Sequence, residues 1–480
     1  MTACATSSVQ DHRQAPVDTS SDDFDRWESQ VAATGYCHHP VRLAGRIDAI
    51  DLATGELRPM YNTDGEPGGT LLVACGNRRE SACPPCSKVY KRDARHIVRA
   101  GLTGNYATHP AVFATFTAPS FGPVHARRKR GKTVLPCRPR RDTNDRRCPH
   151  GRDISCAARH HENDPRLGQP LCPDCYDYPA AVLFNACAGE LWRRFTIYLP
   201  RHLARLTGIK IGQLRKHLVI RYVKVAEYQA RGAVHYHAVI RLDAPGEDYQ
   251  PPPGHYTADL LCKAITSAAA AVRLVLAPDT GHPAMPALTL CFGVQTDTRP
   301  VRHDTTGQAL TVAAVSNYIA KYITKTLDVP GLPDHPIRNS ASIGRLSCPA
   351  HYRQMITTAW QLGAQNATGD SRLRLHAHAL GFGGHFLTKS RHYSTTFGER
   401  RAVRRDYRRA QRHPDGETDP WGRSLDDTVV LVLKTWTVTG TGYRTMAEAD
   451  LAMSAAARAR EHDEWLSQTY LVRAINSEEE

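Results

Sequence analysis

The chain has 480 residues, with 62 Lys and Arg against 47 Asp and Glu, giving a formal charge of +15 and a pI near 9.3. This length exceeds what one hydrophobic core serves, so about two or three domains are expected. The charge surplus points to a polyanionic partner, and the absence of a run of 18 apolar residues argues against a membrane-spanning helix.

The N-terminal stretch MTACATSSVQDHRQ has neither the basic start nor the apolar run of a secretory signal, which implies a cytoplasmic location. In that setting the 14 Cys read as reduced thiols and metal ligands rather than disulfides. Residues 1–36 are polar and acidic and read as a disordered lead-in. Residues 37–110 form a Cys-rich module with turns at Asp64-Gly65 and Gly68-Gly69. Its Cys75-x7-Cys83-x2-Cys86 pattern supplies three thiolates, and Cys37, followed by His38 and His39, supplies the fourth ligand of a structural zinc. The run AVFATFT at 111–117 reads as a strand closed by Pro119. Residues 126–147 carry ten basic and two acidic side chains with Gly and Pro breakers, so they read as a loop. There Arg127, Arg128, Lys129 and Arg130 form a basic run suited to a polyanionic partner.

A zinc-binding insertion is expected at about 137–180, on the spacing Cys148-x7-Cys156-x15-Cys172-x2-Cys175. Four thiolates leave no open coordination position, so this zinc would be structural; His150 and His160 are alternatives to one thiol. Cys4, Cys137, Cys187, Cys262, Cys291 and Cys348 have no partner spacing and read as plain thiols. Residues 181–206 read as a helix interrupted near Pro200.

The segment 219–242 reads as a β-hairpin. In its second arm Val234, Tyr236, Ala238, Ile240 and Leu242 share one face, while His235, His237, Val239 and Arg241 share the other. The apolar face must pack on helices, which turns both imidazoles toward an open side of the sheet. A three-residue turn, Ala230-Arg231-Gly232, would pair Gln229 with Ala233 and set Glu227 opposite His235. Two imidazoles and a carboxylate suit a divalent ion that grips a phosphate oxygen.

A Pro-rich bend at 244–254, an Ala-rich helix near 257–276 and a loop at 277–308 follow, the loop holding a short strand, ALTLCFGV. A helix at 311–327 is stopped by Pro330, with Val312, Val315, Ile319, Ile323 and Leu327 as its core stripe. Tyr318 and Tyr322 stack at i and i+4 beside that stripe, each followed three residues later by a lysine, Lys321 and Lys325. A phenol with a pKa near 10 is a poor nucleophile at neutral pH, and nearby cations lower the cost of phenolate. Residues 331–480 are basic and partly helical; 389–412 carries nine Lys or Arg against two acids, with Lys389, Arg391, Arg404 and Arg405 as expected contacts to a polyanionic partner. No GxxxxGK[ST] loop is present, so no nucleotide cofactor is expected.

His235-Tyr236-His237 followed by Tyr318-x3-Tyr322-x2-Lys325, with TFTAP at 115–119 as a first motif strand, resembles the HUH endonucleases, specifically rolling-circle replication initiators with two tyrosines. The stretches CGNRRESACPPC, LCPDCYDYPAAVLFNACAGELWRRFTIYLPRHLA and GFGGHFLTKSRHYS look like the initiators of actinobacterial plasmids and integrative elements. The resemblance implies an α+β fold. It would have an antiparallel, ferredoxin-like HUH core at 111–330 with helices on one face, zinc modules and a basic C-terminal helical region. It further implies a magnesium or manganese ion on His235, His237 and Glu227, and attack by Tyr318 or Tyr322 on single-stranded or hairpin origin DNA. The products would be a 5′-phosphotyrosyl link and a free 3′-hydroxyl, with Lys321 and Lys325 steadying the phosphate. Two structural zinc ions, a host helicase and polymerase as partners, and no membrane complete that expectation. A relaxase or transposase shares the chemistry, although relaxases usually place the tyrosine before the histidines. A non-enzymatic zinc-bearing regulator would explain the charge and the cysteines but not the His and Tyr constellation.

Overall fold

A computed structural model describes residues 22–139, 147–246, 250–276, 287–302, 310–325, 331–333, 335–364, 372–412, 418–423 and 430–476. The chain forms two units, one made of Lys91–Arg400 and one of Met1–Tyr90 together with Arg401–Glu480.

The larger unit is built on one sheet of six strands: β1 (Ala111–Phe116), β2 (Val219–Tyr228), β3 (Val234–Asp243), β4 (Thr296–Arg302), β5 (Leu310–Thr311) and β6 (Leu387–Lys389). Their order is β5-β4-β1-β3-β2-β6, antiparallel throughout except for β4 beside β5. Helix α1 (Tyr178–Thr207) links β1 to β2, and α2 (Ala258–Ala271) links β3 to β4. The four central strands thus carry the β-α-β-β-α-β connectivity of a split β-α-β unit, in agreement with the expected mixed, antiparallel class.

Alternation along the strands decides which side chains meet the helices. Phe116 of β1 packs edge-on against Trp192 and Phe195 of α1, with ring centroids 5.4 and 4.7 Å away. Tyr236, opposite Phe116 in the ladder, also meets Trp192. Phe113, Thr115, His237 and Val239 face the other way. The sequence reading leaves that face open, but α3 (Val312–Lys325) packs there against β2 and β4. His237, Val239 and Arg241 are buried, Arg241 against the Tyr106 and Tyr393 rings, and helices flank both faces of the sheet rather than one. The α3 stripe Val312, Val315, Ile319 and Ile323 is buried as its spacing predicts; Leu327 lies outside the described residues.

Helix α1 begins where the Asp177 side chain accepts the Ala180 N–H at 2.9 Å, and it ends at Gly208 in the left-handed conformation. It does not break at Pro200. A mid-helix proline costs about 3 kcal/mol, but each large apolar side chain buried contributes roughly 1.5–3 kcal/mol. Phe195, Leu199 and Leu203 straddle the proline and are all buried, so packing outweighs the local preference.

The domain divisions differ from those drawn on sequence. Beyond residue 330, α4 (Ala350–Ala364) packs on α1, and β6 extends the sheet beside β2, so this stretch belongs to the larger unit. In the smaller unit, strand Val41–Asp51 pairs with Val430–Thr441 along its whole length, from Val41 opposite Thr441 to Asp51 opposite Val430. The C-terminal region is therefore not one basic helical domain; it completes the N-terminal module with a strand. Part of the expected disordered lead-in is helical, over Asp22–Ala33, and it buries Val31. Among the described residues, no helix is long and apolar enough to cross a membrane.

Candidate active site and metal-binding clusters

The β2–β3 turn has the anticipated register. The Gln229 N–H donates to Ala233 O at 2.9 Å, Gly232 takes a φ of +73°, and Glu227 stands opposite His235. The turn is held from several sides. Asn185, fully buried on α1, donates to Gly232 O at 2.8 Å and accepts the Val234 N–H at 2.8 Å. Arg231 donates to the carbonyls of Ala118 and Pro119, while Tyr352 donates to Ala230 O at 2.7 Å. Glu227 and His235 thus sit beside a turn whose polar backbone groups are paired with the neighbouring loop and helices.

On the α3 face, His237 is 2% exposed. Its Nε2 donates to Glu227 Oε2 at 2.9 Å, and its Nδ1 faces the Thr115 hydroxyl at 3.2 Å. Phe113 stacks on the imidazole at 5.8 Å between centroids. Tyr318 and Tyr322 meet the same ring at 5.1 and 5.4 Å, and each other at 4.4 Å. The His235 ring lies 4.6 Å from that of His237. Burial, with His237 and Arg231 nearby, pushes the His235 imidazole down to about 3, so it stays in the neutral, ligating form. Its Nδ1 is buried and has no hydrogen-bond partner among the described residues, which leaves it able to accept a metal ion. The donor set, two imidazoles and a carboxylate oxygen, is one that could hold a divalent metal ion. The three ligand atoms do not converge as tightly as those of the Cys/His groups below.

Tyr318 is 39% exposed. Burial, followed by the adjacent Tyr322 and Glu227, pushes its phenol above the ordinary value, and Arg299 draws it back. Arg299 and Phe113 were not singled out on sequence. They are directly paired between β4 and β1, and Phe113 is paired in turn with Val239 on β3. The β4 segment TDTRPVR falls within the expected loop at 277–308 but forms a strand; its parallel partner β5 begins only opposite Val301, so the missing N–H of Pro300 breaks no ladder bond on that side. Lys321 is exposed, with Nζ 5.9 Å from the Tyr322 ring. Lys325 ends α3, and its side chain lies outside the described ones.

Among the described residues, three groups bring their ligand atoms within 4.8 Å of one another. Cys37, Cys75, Cys83 and Cys86 assemble as their spacing predicts, with Cys37–Cys83 and Cys75–Cys86 Sγ separations of 3.7 Å. His38 and His39 are not members. The second expected set is divided. Cys148, Cys172 and Cys175 gather with His150, whose Nδ1 lies 3.2 Å from Cys175 Sγ. Cys156 instead joins His125, Cys137 and His160, so Cys137 is not a plain thiol. The cause is a backbone bridge: Arg138 and Cys156 exchange N–H···O bonds of 2.8 and 2.9 Å, which draws Cys156 to the segment bearing Cys137.

The basic residues divide as well. Arg128, Lys129 and Arg130 form an exposed strand, whereas Arg127 pairs with Glu162 at 3.3 Å; residues 140–146 of this loop lie outside the described ones. Lys389 turns back to donate to Arg391 O at 2.9 Å, leaving the Arg391 side chain exposed. Arg404 and Arg405 lie on the helix Phe397–Arg412, where Arg405 pairs with Asp406.

Residues 23–457 match the family described as RepSA, replication initiator protein, pSAM2. A replication initiator protein of Streptomyces ambofaciens is 41% identical over 452 residues, covering 91% of each chain. No solved structure matches this chain. Its length, its basic surplus and the extent of both likenesses lead to one conclusion: the chain belongs to the RepSA family of replication initiator proteins.

Proposed function

We propose that this initiator opens plasmid replication by nicking one origin strand itself, as an HUH endonuclease, and later rejoins it. The observation that carries the reading is the contact of both α3 tyrosines with the imidazole of His237, itself bonded to Glu227 across the hairpin. His235, His237 and Glu227 would hold magnesium or manganese, which polarises the scissile phosphate. The Tyr318 or Tyr322 oxygen attacks phosphorus and loses its proton; the O3′–P bond breaks, and the leaving oxygen becomes a 3′-hydroxyl primer. The strand end remains as a 5′-phosphotyrosyl link, which conserves the bond energy for rejoining. Arg299 favours the phenolate that Tyr318 otherwise resists, and Lys321 would steady the phosphate. Exposed Arg128, Lys129 and Arg130 would grip backbone phosphates of single-stranded or extruded hairpin DNA. Host helicase and polymerase would extend the primer.

The test is incubation with single-stranded origin DNA and Mn²⁺, followed by denaturing gels and peptide mapping of the adduct. A covalent adduct on Tyr318 or Tyr322 is expected. The double variant Tyr318→Phe plus Tyr322→Phe should lose the adduct while keeping origin binding; persistence of the adduct would sink the assignment.

A further inference from the structure

We infer that the insertion between β1 and α1 binds two zinc ions in a cross-braced arrangement, with His125, Cys137, Cys156 and His160 as a site separate from Cys148, His150, Cys172 and Cys175. With the Cys37 cluster, that makes three per chain. Ligand order is the first support. Along the chain the pairs run His125 and Cys137, Cys148 and His150, Cys156 and His160, Cys172 and Cys175; the first and third pairs form one group, the second and fourth the other. Each ion would close a loop that contains part of the other site, so neither loop could open alone.

The ligand atoms themselves are the second support. His160 is 1% exposed, and its Nδ1 bonds to Asp164 Oδ2 at 2.7 Å. That carboxylate selects the tautomer in which Nε2 is free to ligate, and Nε2 lies 3.5 Å from Cys156 Sγ and 3.3 Å from His125 Nδ1. Cys137 is fully buried, and its sulfur accepts the Ala126 N–H at 3.1 Å. Two thiolates and two neutral imidazoles cancel the charge of a divalent ion, so the burial leaves no net charge unpaired. Borderline-soft sulfur and nitrogen donors in a closed set of four select zinc over the hard ion of the tyrosine site.

The surroundings explain why metal is needed. Across the described part of 117–177, the strands are Arg128–Arg130 and Thr133–Leu135 and the helix is one short turn, so little backbone is fixed by regular ladders. This loop-rich insertion nevertheless docks on the catalytic hairpin. Gly168, at φ +82°, approaches the turn so closely that a Cβ there would stand 2.0 Å from Ala230 O. Metal closure would supply the order that a core cannot.

Zinc content of the full-length protein, purified without chelator, would be measured by mass spectrometry, together with zinc X-ray absorption. Three equivalents are expected, with nine sulfurs to three imidazole nitrogens, at about 2.3 and 2.0 Å. A ratio of seven sulfurs to one nitrogen, or a Cys137–Cys156 disulfide in the non-reduced peptide map, would overturn the inference. Cys137→Ser should lower the content to two equivalents or fewer; three retained equivalents would also overturn it. The wild-type ratio stands whether or not the variant folds.

Discussion

Glu227 and His237 sit 2.9 Å apart on two strands whose backbones are paired from Val219–Asp243 to Tyr228–Val234. Cys156 and His160 sit 3.5 Å apart in a segment held by isolated bridges and turns. Both regions belong to the larger unit, and both gather chemically active side chains. In the hairpin, backbone hydrogen bonds fix the position, and a slip of one residue would send every side chain to the wrong face. In the insertion, isolated bridges such as that between Arg138 and Cys156 bring the Cys and His side chains together, and no continuous ladder fixes them. The hairpin site should therefore tolerate loss of a functional group without losing its shape, whereas the insertion should lose its shape with its ligands.

The largest expected effect separates the two regions. Glu227→Gln removes the carboxylate charge but keeps nearly the same volume, so the fold and zinc content should be unchanged. Adduct formation on origin strands should fall about a hundredfold, as when a ligand or its close support is lost. An unimpaired variant would remove Glu227 from the site.

Gly168→Ala addresses the join between the regions. A methyl at a φ of +82° that also meets the Ala230 carbonyl must push the insertion off the turn. Urea unfolding should show a loss of roughly 2–3 kcal/mol. Equal stability would mean that the insertion does not lean on the hairpin.

The smallest effect concerns the helix-facing side of the same strands. Lys224 is 5% exposed, with Nζ 3.9 Å from the Tyr236 ring centroid and 5.2 Å from that of Trp192. Burial pushes its amine down to about 7, against an ordinary value of 10.5. Between those values the unfolded chain binds a proton that the folded chain does not, so this group makes stability rise with pH through that window and costs most at or below neutrality. Lys224→Met should therefore stabilise the protein at pH 7 by roughly 1–2 kcal/mol, allowing for the cation–π contacts the ammonium makes. The gain should vanish above pH 10.5. A gain that is flat with pH would mean that packing, not protonation, sets it.

The same contrast explains what could be read from the amino-acid order. Period-two alternation and one turn glycine were enough to pair Glu227 with His235 and to set His237 on the face opposite Tyr236. The α3 stripe was equally legible, because helical spacing leaves few choices. Cover over the histidine face was not, since nothing local in Val312–Lys325 says which side of a sheet it will take. Arg299 escaped notice because Pro300 masks an outer position in the ladder. In the insertion, Cys156 was assigned by distance along the chain, but its partner was chosen by the Arg138 bridge, a long-range backbone contact. Cys137 and His125 carried no local signal beyond their residue type. Pairing over nearly 400 residues, as between Val41 and Thr441, is likewise invisible to any window.

That last pairing governs the order of events during synthesis. The larger unit is continuous, so all of it has left the ribosome once Arg400 and a tunnel's length of further chain are made. The strand Val41–Asp51 must meanwhile wait, with one flank unpaired, for residues 430–441. A chain that stops early therefore presents an open β edge, the feature that invites aggregation and capture by chaperones or proteases. Pairing of the two ends thus acts as a completeness check, sealing the smaller unit only in molecules translated past Thr441.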